Sequence, residues 1–138
     1  MANYTLSRGD IEGLTYLGNY LWALGSAQDG GCKVQKIDPS NGTNVGSALT
    51  LGQWCDSASG LSNDGTYLAV TYSSQGRIIT YDTNGNQETE SHIQNASGAR
   101  GIAFRNSQYW LGKNDDMAAY APGCCGMDEV SGTGQSNL

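Results

Sequence analysis

Any Ser–His or Cys–His chemistry in this chain must run through His92, the only histidine in the sequence, because a hydroxyl or thiol nucleophile needs a neighbouring base. Its neighbours Ser91 and Ile93 place it in an expected outer β-strand, where a histidine ordinarily faces solvent. Glycosidase chemistry needs two carboxyl groups flanking one bond. The two acidic pairs, Asp115-Asp116 and Asp128-Glu129, are adjacent residues in loop-like surroundings, the usual pattern of a solvated turn. The spacing Asp82-x-Asn84-x-Asn86 is that of the first ligands of a calcium loop. Gln87, however, stands where such a loop needs Gly, and Ile93 where it needs the closing Glu, so a hairpin explains these residues better. The expectation is a non-enzymatic chain with no catalytic residue, no metal ligand and no cofactor.

Cys32, Cys55, Cys124 and Cys125 fit neither a paired C-x-x-C zinc site nor a dense disulfide scaffold. Cys32 and Cys55 either bridge neighbouring loops or remain buried thiols. Cys124-Cys125, between Gly123 and Gly126, suits a link to a partner chain; for a soft metal the ligand set is poor. Of the three tryptophans, Trp22 and Trp110 fall in expected middle strands and read as core. Trp54 falls in the loop Gly52 to Asp56, with Gln53 and Asp56 beside it. That combination serves for stacking on a sugar ring or anchoring a protein partner; the alternative is a Trp folded back over a sheet edge. Trp54, Gln53 and Asp56 are therefore the candidate binding residues.

The elements that must position these residues form an internal repeat. A Gly-aliphatic pair, a polar turn and a Tyr-led apolar strand recur at Gly13-Leu14 to Tyr20, Gly60-Leu61 to Tyr67 and Gly101-Ile102 to Tyr109. Spacings of this size suit one small antiparallel sheet per repeat. The expected strands are Gly13–Leu17, Asn19–Leu24 and Lys33–Asp38; then Gly60–Ser62, Thr66–Tyr72 and Arg77–Asp82; then Gly101–Arg105, Gln108–Gly112 and Met117–Ala121. Fourth strands are available at Asn44–Leu51 and Gln87–Ile93. Apolar residues occupy both parities of the middle strands, as in Tyr67-Leu68-Ala69-Val70. A sheet with one wet face would alternate, so these sheets are expected to be covered on both faces, with a two-sheet sandwich as the rival.

The pattern Gly60-Leu61, Asp64 to Val70 and Ile79 to Gly85 resembles the β-propeller superfamily, and the resemblance extends over about residues 3 to 122. It implies an all-β fold of about three propeller-like blades and no particular activity. A propeller closes with typically four to eight blades, so three are expected to be completed by oligomerisation, two chains making a six-bladed ring. Closed three-bladed and open, polymerising arrangements are the alternatives. The third repeat runs into Ala121-Pro122-Gly123 with no fourth strand of its own. Asn3, Tyr4, Thr5 and Leu6 precede the first repeat as a fourth strand would, and are the expected assembly strand. Residues 123–138 read as a Gly-rich, flexible or partner-dependent arm beside a domain of residues 1–122.

Composition narrows the function. The net charge of −6 and scattered Lys and Arg argue against nucleic acid as a partner. No apolar run is long enough to span a membrane, and the N-terminus lacks the basic and apolar regions of a signal peptide. A polar, Lys-poor surface and potential disulfides suit a location outside the cell, which lysis would supply without export. The expectation is thus a self-assembling structural or binding module: a phage virion component such as a head decoration, fibre or receptor-binding piece, in contact with other virion proteins or a cell-surface glycan. The alternative is a carbohydrate-binding lectin of the oligomeric propeller type.

Overall fold

The computed structural model describes residues 10–25, 32–52, 57–93, 98–113 and 116–121. Its eleven strands form three antiparallel sheets, each a meander. The first blade is β1 (Ile11–Leu17), β2 (Tyr20–Gly25), β3 (Cys32–Ile37) and β4 (Leu49–Leu51). The second is β5 (Ala58–Asn63), β6 (Leu68–Tyr72), β7 (Arg77–Tyr81) and β8 (Gln87–His92). The third is β9 (Ala99–Arg105), β10 (Gln108–Lys113) and β11 (Asp116–Tyr120). Among the described residues β11 has no strand on its outer side.

The sheets stack side by side, with inner strand β1 against β5 and β5 against β9. The middle blade shows why both parities of its strands are apolar. Leu68, Val70, Tyr72, Ile79 and Tyr81 pack with Trp22, Leu24, Val34 and Leu51 of the first blade. Ala69 and Ile78 pack with Tyr109, Leu111, Ala118 and Tyr120 of the third. Every residue of β6 is buried. Burying a large aliphatic or aromatic side chain contributes roughly 1.5–3 kcal/mol, and here two blade interfaces replace the single core of a sandwich. Within the first interface the Tyr72 and Tyr81 hydroxyls lie 2.7 Å apart in a hydrogen bond. Burial raises the pKa of both phenols, so the pair stays neutral and bonded.

Local chemistry trims the expected strands. β2 begins at Tyr20, not Asn19, because Gly18 and Asn19 both adopt positive φ in a two-residue hairpin turn. Asn106 and Ser107 make the same turn in the third blade. β6 begins at Leu68 because the Asp64 carboxylate accepts hydrogen bonds from the Thr66 and Tyr67 amides and holds both in the preceding turn. The expected strand Asn44–Leu51 keeps only Leu49–Leu51 and a single bridge from Asn44 to Ile37. Gly46 turns to φ 67° in its middle, and the Gln35 amide lies 3.4 Å from the Gly46 carbonyl, a side chain taking the place of a strand bond.

Candidate functional site

His92 ends β8 with its side chain 53% exposed, and its Nε2 lies 3.7 Å from Glu90. Glu90 pairs in turn with Arg77 on β7. Glu90 and His92 lie on the outer strand of the second blade, where polar side chains discourage strand addition. Asp82 caps its hairpin: one carboxylate oxygen accepts the Asn84 and Asn86 amides at 2.8 and 2.9 Å, and the other accepts the Asn86 side chain at 2.9 Å. Those bonds, the Asn86 side chain first, hold the Asp82 carboxyl below its ordinary pKa. Asp38 does the same work for Ser40, whose amide and hydroxyl approach it at 2.8 and 2.7 Å. No group of three His, Cys, Asp or Glu side chains among the described residues is placed to hold a metal ion.

Trp22 is core, as expected, and its indole nitrogen donates to the Leu17 carbonyl at 3.0 Å; Trp110 is half-buried. Cys32 is buried and disulfide-bonded. Cys55, Cys124 and Cys125 lie outside the described residues, as do Asp115 and the Asp128-Glu129 pair. So do the expected binding residues Trp54, Gln53 and Asp56, the expected assembly strand Asn3, Tyr4, Thr5 and Leu6, and the arm 123–138.

The feature that stands out geometrically is the way inner strands meet. In each of them one residue before the repeat glycine is bulged out of the ladder: Glu12, Ser59 and Arg100. From the glycine onward, two rows alternate along the strand. Small residues line one row in all three blades, Gly13 and Thr15, Gly60 and Ser62, Gly101 and Ala103; the other row carries Leu14 and Tyr16, Leu61 and Asn63, Ile102 and Phe104. The small row of each blade receives the other row of the next. A Cβ on Gly13 would lie 2.7 Å from the Leu61 nitrogen, and one on Gly60 would run into the Arg100 carbonyl oxygen and lie 3.2 Å from Ile102. Polar latches cross the same joints. Asn63 donates to Thr15 Oγ1 and the Tyr16 carbonyl at 2.7 and 2.9 Å, and Ser59 donates to the Ala99 carbonyl at 2.9 Å.

Among the described residues the two outer rows have no such partner. A Cβ on Gly101 would meet no atom of the described residues within 4 Å, and Gly101, Ala103 and Arg105 are exposed. At the other end Leu14 and Tyr16 are 59% and 56% exposed, where Leu61 in the equivalent place is 4% exposed. With Ile11, they are the exposed large apolar side chains of the described residues. Over the described residues the three blades therefore form an open stack, β1 against β5 and β5 against β9. The sequence carried a signal for these faces, the repeated small–large alternation after each glycine, but it acquires meaning only once the faces are assigned.

No protein-family model matches the chain, and no curated protein matches it. Solved structures do, at the level of the fold. A glutaminyl cyclase from Myxococcus xanthus superposes with a TM-score of 0.69 at 16% identity, over 90% of this chain and 50% of that one. A virginiamycin B lyase from Staphylococcus aureus gives 0.63 at 21% identity, over 86% of this chain and 41% of that one. Both are β-propeller-type structures. The fold is a partial β-propeller. A chain of the nidogen/laminin complex gives 0.55 at 11% identity, over 75% and 39%. The chain thus spans half or less of the length of these three structures, and identities this low carry the fold and not the activity.

Proposed function

We propose that this chain is a non-enzymatic structural and binding module that works by assembling, through the open ends of its blade stack, as a component of a phage virion. The observation that carries the assembly reading is the pair of unmatched end rows, Gly101-Ala103 and Leu14-Tyr16, which repeat the chemistry of the two joints already made inside the chain. An exposed apolar row of this kind marks an interaction surface. The disulfide at Cys32 supports a life outside the reducing cytosol, which a particle released by lysis reaches without export. His92, half-exposed on an outer strand with its Nε2 3.7 Å from Glu90, supports the non-enzymatic reading.

A lectin is the second reading, favoured by Trp54 with Gln53 and Asp56 between β4 and β5. Two measurements separate the readings. Mass spectrometry and antibody labelling of purified particles from a lysate should find the chain on the virion, and a glycan array probed with the purified chain should show no ligand that Trp54→Ala abolishes. Absence from the particles together with Trp54-dependent glycan binding would replace the virion reading by the lectin.

A further inference from the structure

We infer that the partner of the open ends is a second copy of this chain, docked head to tail so that Leu14 and Tyr16 of each copy enter the Gly101-Ala103 row of the other. The inference rests on the assembly reading above and adds its partner, seam and stoichiometry.

The chain supplies its own template twice. At the joint between the first two blades, Leu61 sits against Gly13 and Asn63 reaches Thr15 and the Tyr16 carbonyl. At the joint between the second and third, Ile102 sits against Gly60. Carried one blade further, the same relation places Leu14 of a second copy over Gly101, where there is open space, and Tyr16 of that copy beside Ala103 and Phe104. The hollow has no Cβ at its centre, and the side chain that would fill it is of the same type as the two that fill its equivalents.

Charge agrees with shape. The bulged residue of the second blade, Ser59, donates across its joint to the carbonyl of Ala99, the residue before Arg100. The bulged residue of the third blade is Arg100, exposed and at the open end. Its counterpart across the new seam is the Ile11 carbonyl of the second copy, followed directly by Glu12, also bulged and exposed. Arg100 therefore meets a carbonyl oxygen and a carboxylate, a charge-assisted pairing where the internal joint has a neutral one. Two copies related by a two-fold along the ring axis make two such seams and six blades, within the usual range for closure. A head-to-tail contact that closes leaves no row exposed; one that does not close grows into filaments.

Light scattering and sedimentation of the purified full-length chain, with its disulfide intact, test this. The expected mass is that of two chains. Gly101→Val, which fills the hollow, and Leu14→Asp, which charges the knob, should each raise the dissociation constant by more than about tenfold with an unchanged far-ultraviolet spectrum. Arg100→Glu and Glu12→Arg should each weaken the pair, and the double variant should recover it; that recovery cannot come from a variant that has merely failed to fold. A two-chain mass indifferent to Gly101→Val and Leu14→Asp would overturn this seam and leave the assembly reading standing. A one-chain mass at about a hundred micromolar would overturn both, and a ladder of larger species sensitive to the same variants would overturn closure at two copies.

Discussion

Gly13, Gly60 and Gly101 are equivalent in the sequence and unequal in what surrounds them. A Cβ on Gly60 would collide with a backbone carbonyl, which cannot move aside as a flexible side chain could, while Gly101 has room. Overpacking of a buried joint typically costs about 1–3 kcal/mol. Gly60→Ala should lower the unfolding free energy of a dilute sample by that amount in urea denaturation, whereas Gly101→Ala should leave stability within about 0.5 kcal/mol, as for a surface change. Equal losses at the two positions would mean that Gly101 is covered within the single chain. None of the three has the positive φ of Gly18 or Gly85, so the comparison reads close approach and not backbone freedom.

At the scale of the element, side-chain carboxylates shape the turns that lead from the third to the fourth strand of the first two blades. Asp38 and Asp82 are half-buried in their turns, and hydrogen bonds from Ser40 and Asn86 respectively lower both pKa values from the ordinary 3.8. A depressed folded pKa contributes stability that is present above the unfolded value and lost as pH falls through the folded one. The stability curve should therefore bend down below about pH 4, and Asp82→Asn, which keeps the acceptor oxygen but cannot titrate, should flatten that acid limb in chemical denaturation at stepped pH. An unchanged limb would assign the acid loss to other carboxylates. The repeat, the three inner glycines and the Asp-initiated turns were legible in the sequence because each is a local rule read at a fixed spacing. The shortening of the first blade's fourth strand from Asn44–Leu51 to Leu49–Leu51 was not, since the positive φ of Gly46 and the Gln35 amide near its carbonyl depend on folded neighbours. The sequence pointed to His92 as a solvent-facing outer-strand residue, which it is, but gave no hint that Leu14 and Tyr16 would be exposed, because the same residue types at Leu61 and Phe104 pack against the preceding blade.

For the molecule as a whole, folding and assembly are coupled if the end rows find each other. Only the assembled state buries Leu14 and Tyr16, so by mass action the apparent stability should rise with protein concentration, as it does for any partner that binds the folded form alone. Thermal midpoints over a hundredfold dilution series should increase with concentration for the full-length chain, and the slope should vanish for Gly101→Val. The outer side of β11, which carries no strand among the described residues, adds a second term to this argument, because a sheet edge invites either a donated strand or aggregation. Removing Met1 to Arg8, which includes the expected assembly strand, should then lower the midpoint at every concentration and raise light scattering on heating. If the removal changed neither, β11 would be protected by something other than that segment, and the Gly101 and Leu14 rows alone would have to hold the two copies together. Reduction of the disulfide at Cys32 is a separate matter and should shift all midpoints down in parallel, since a cross-link acts mainly on the unfolded chain and leaves the slope with concentration intact.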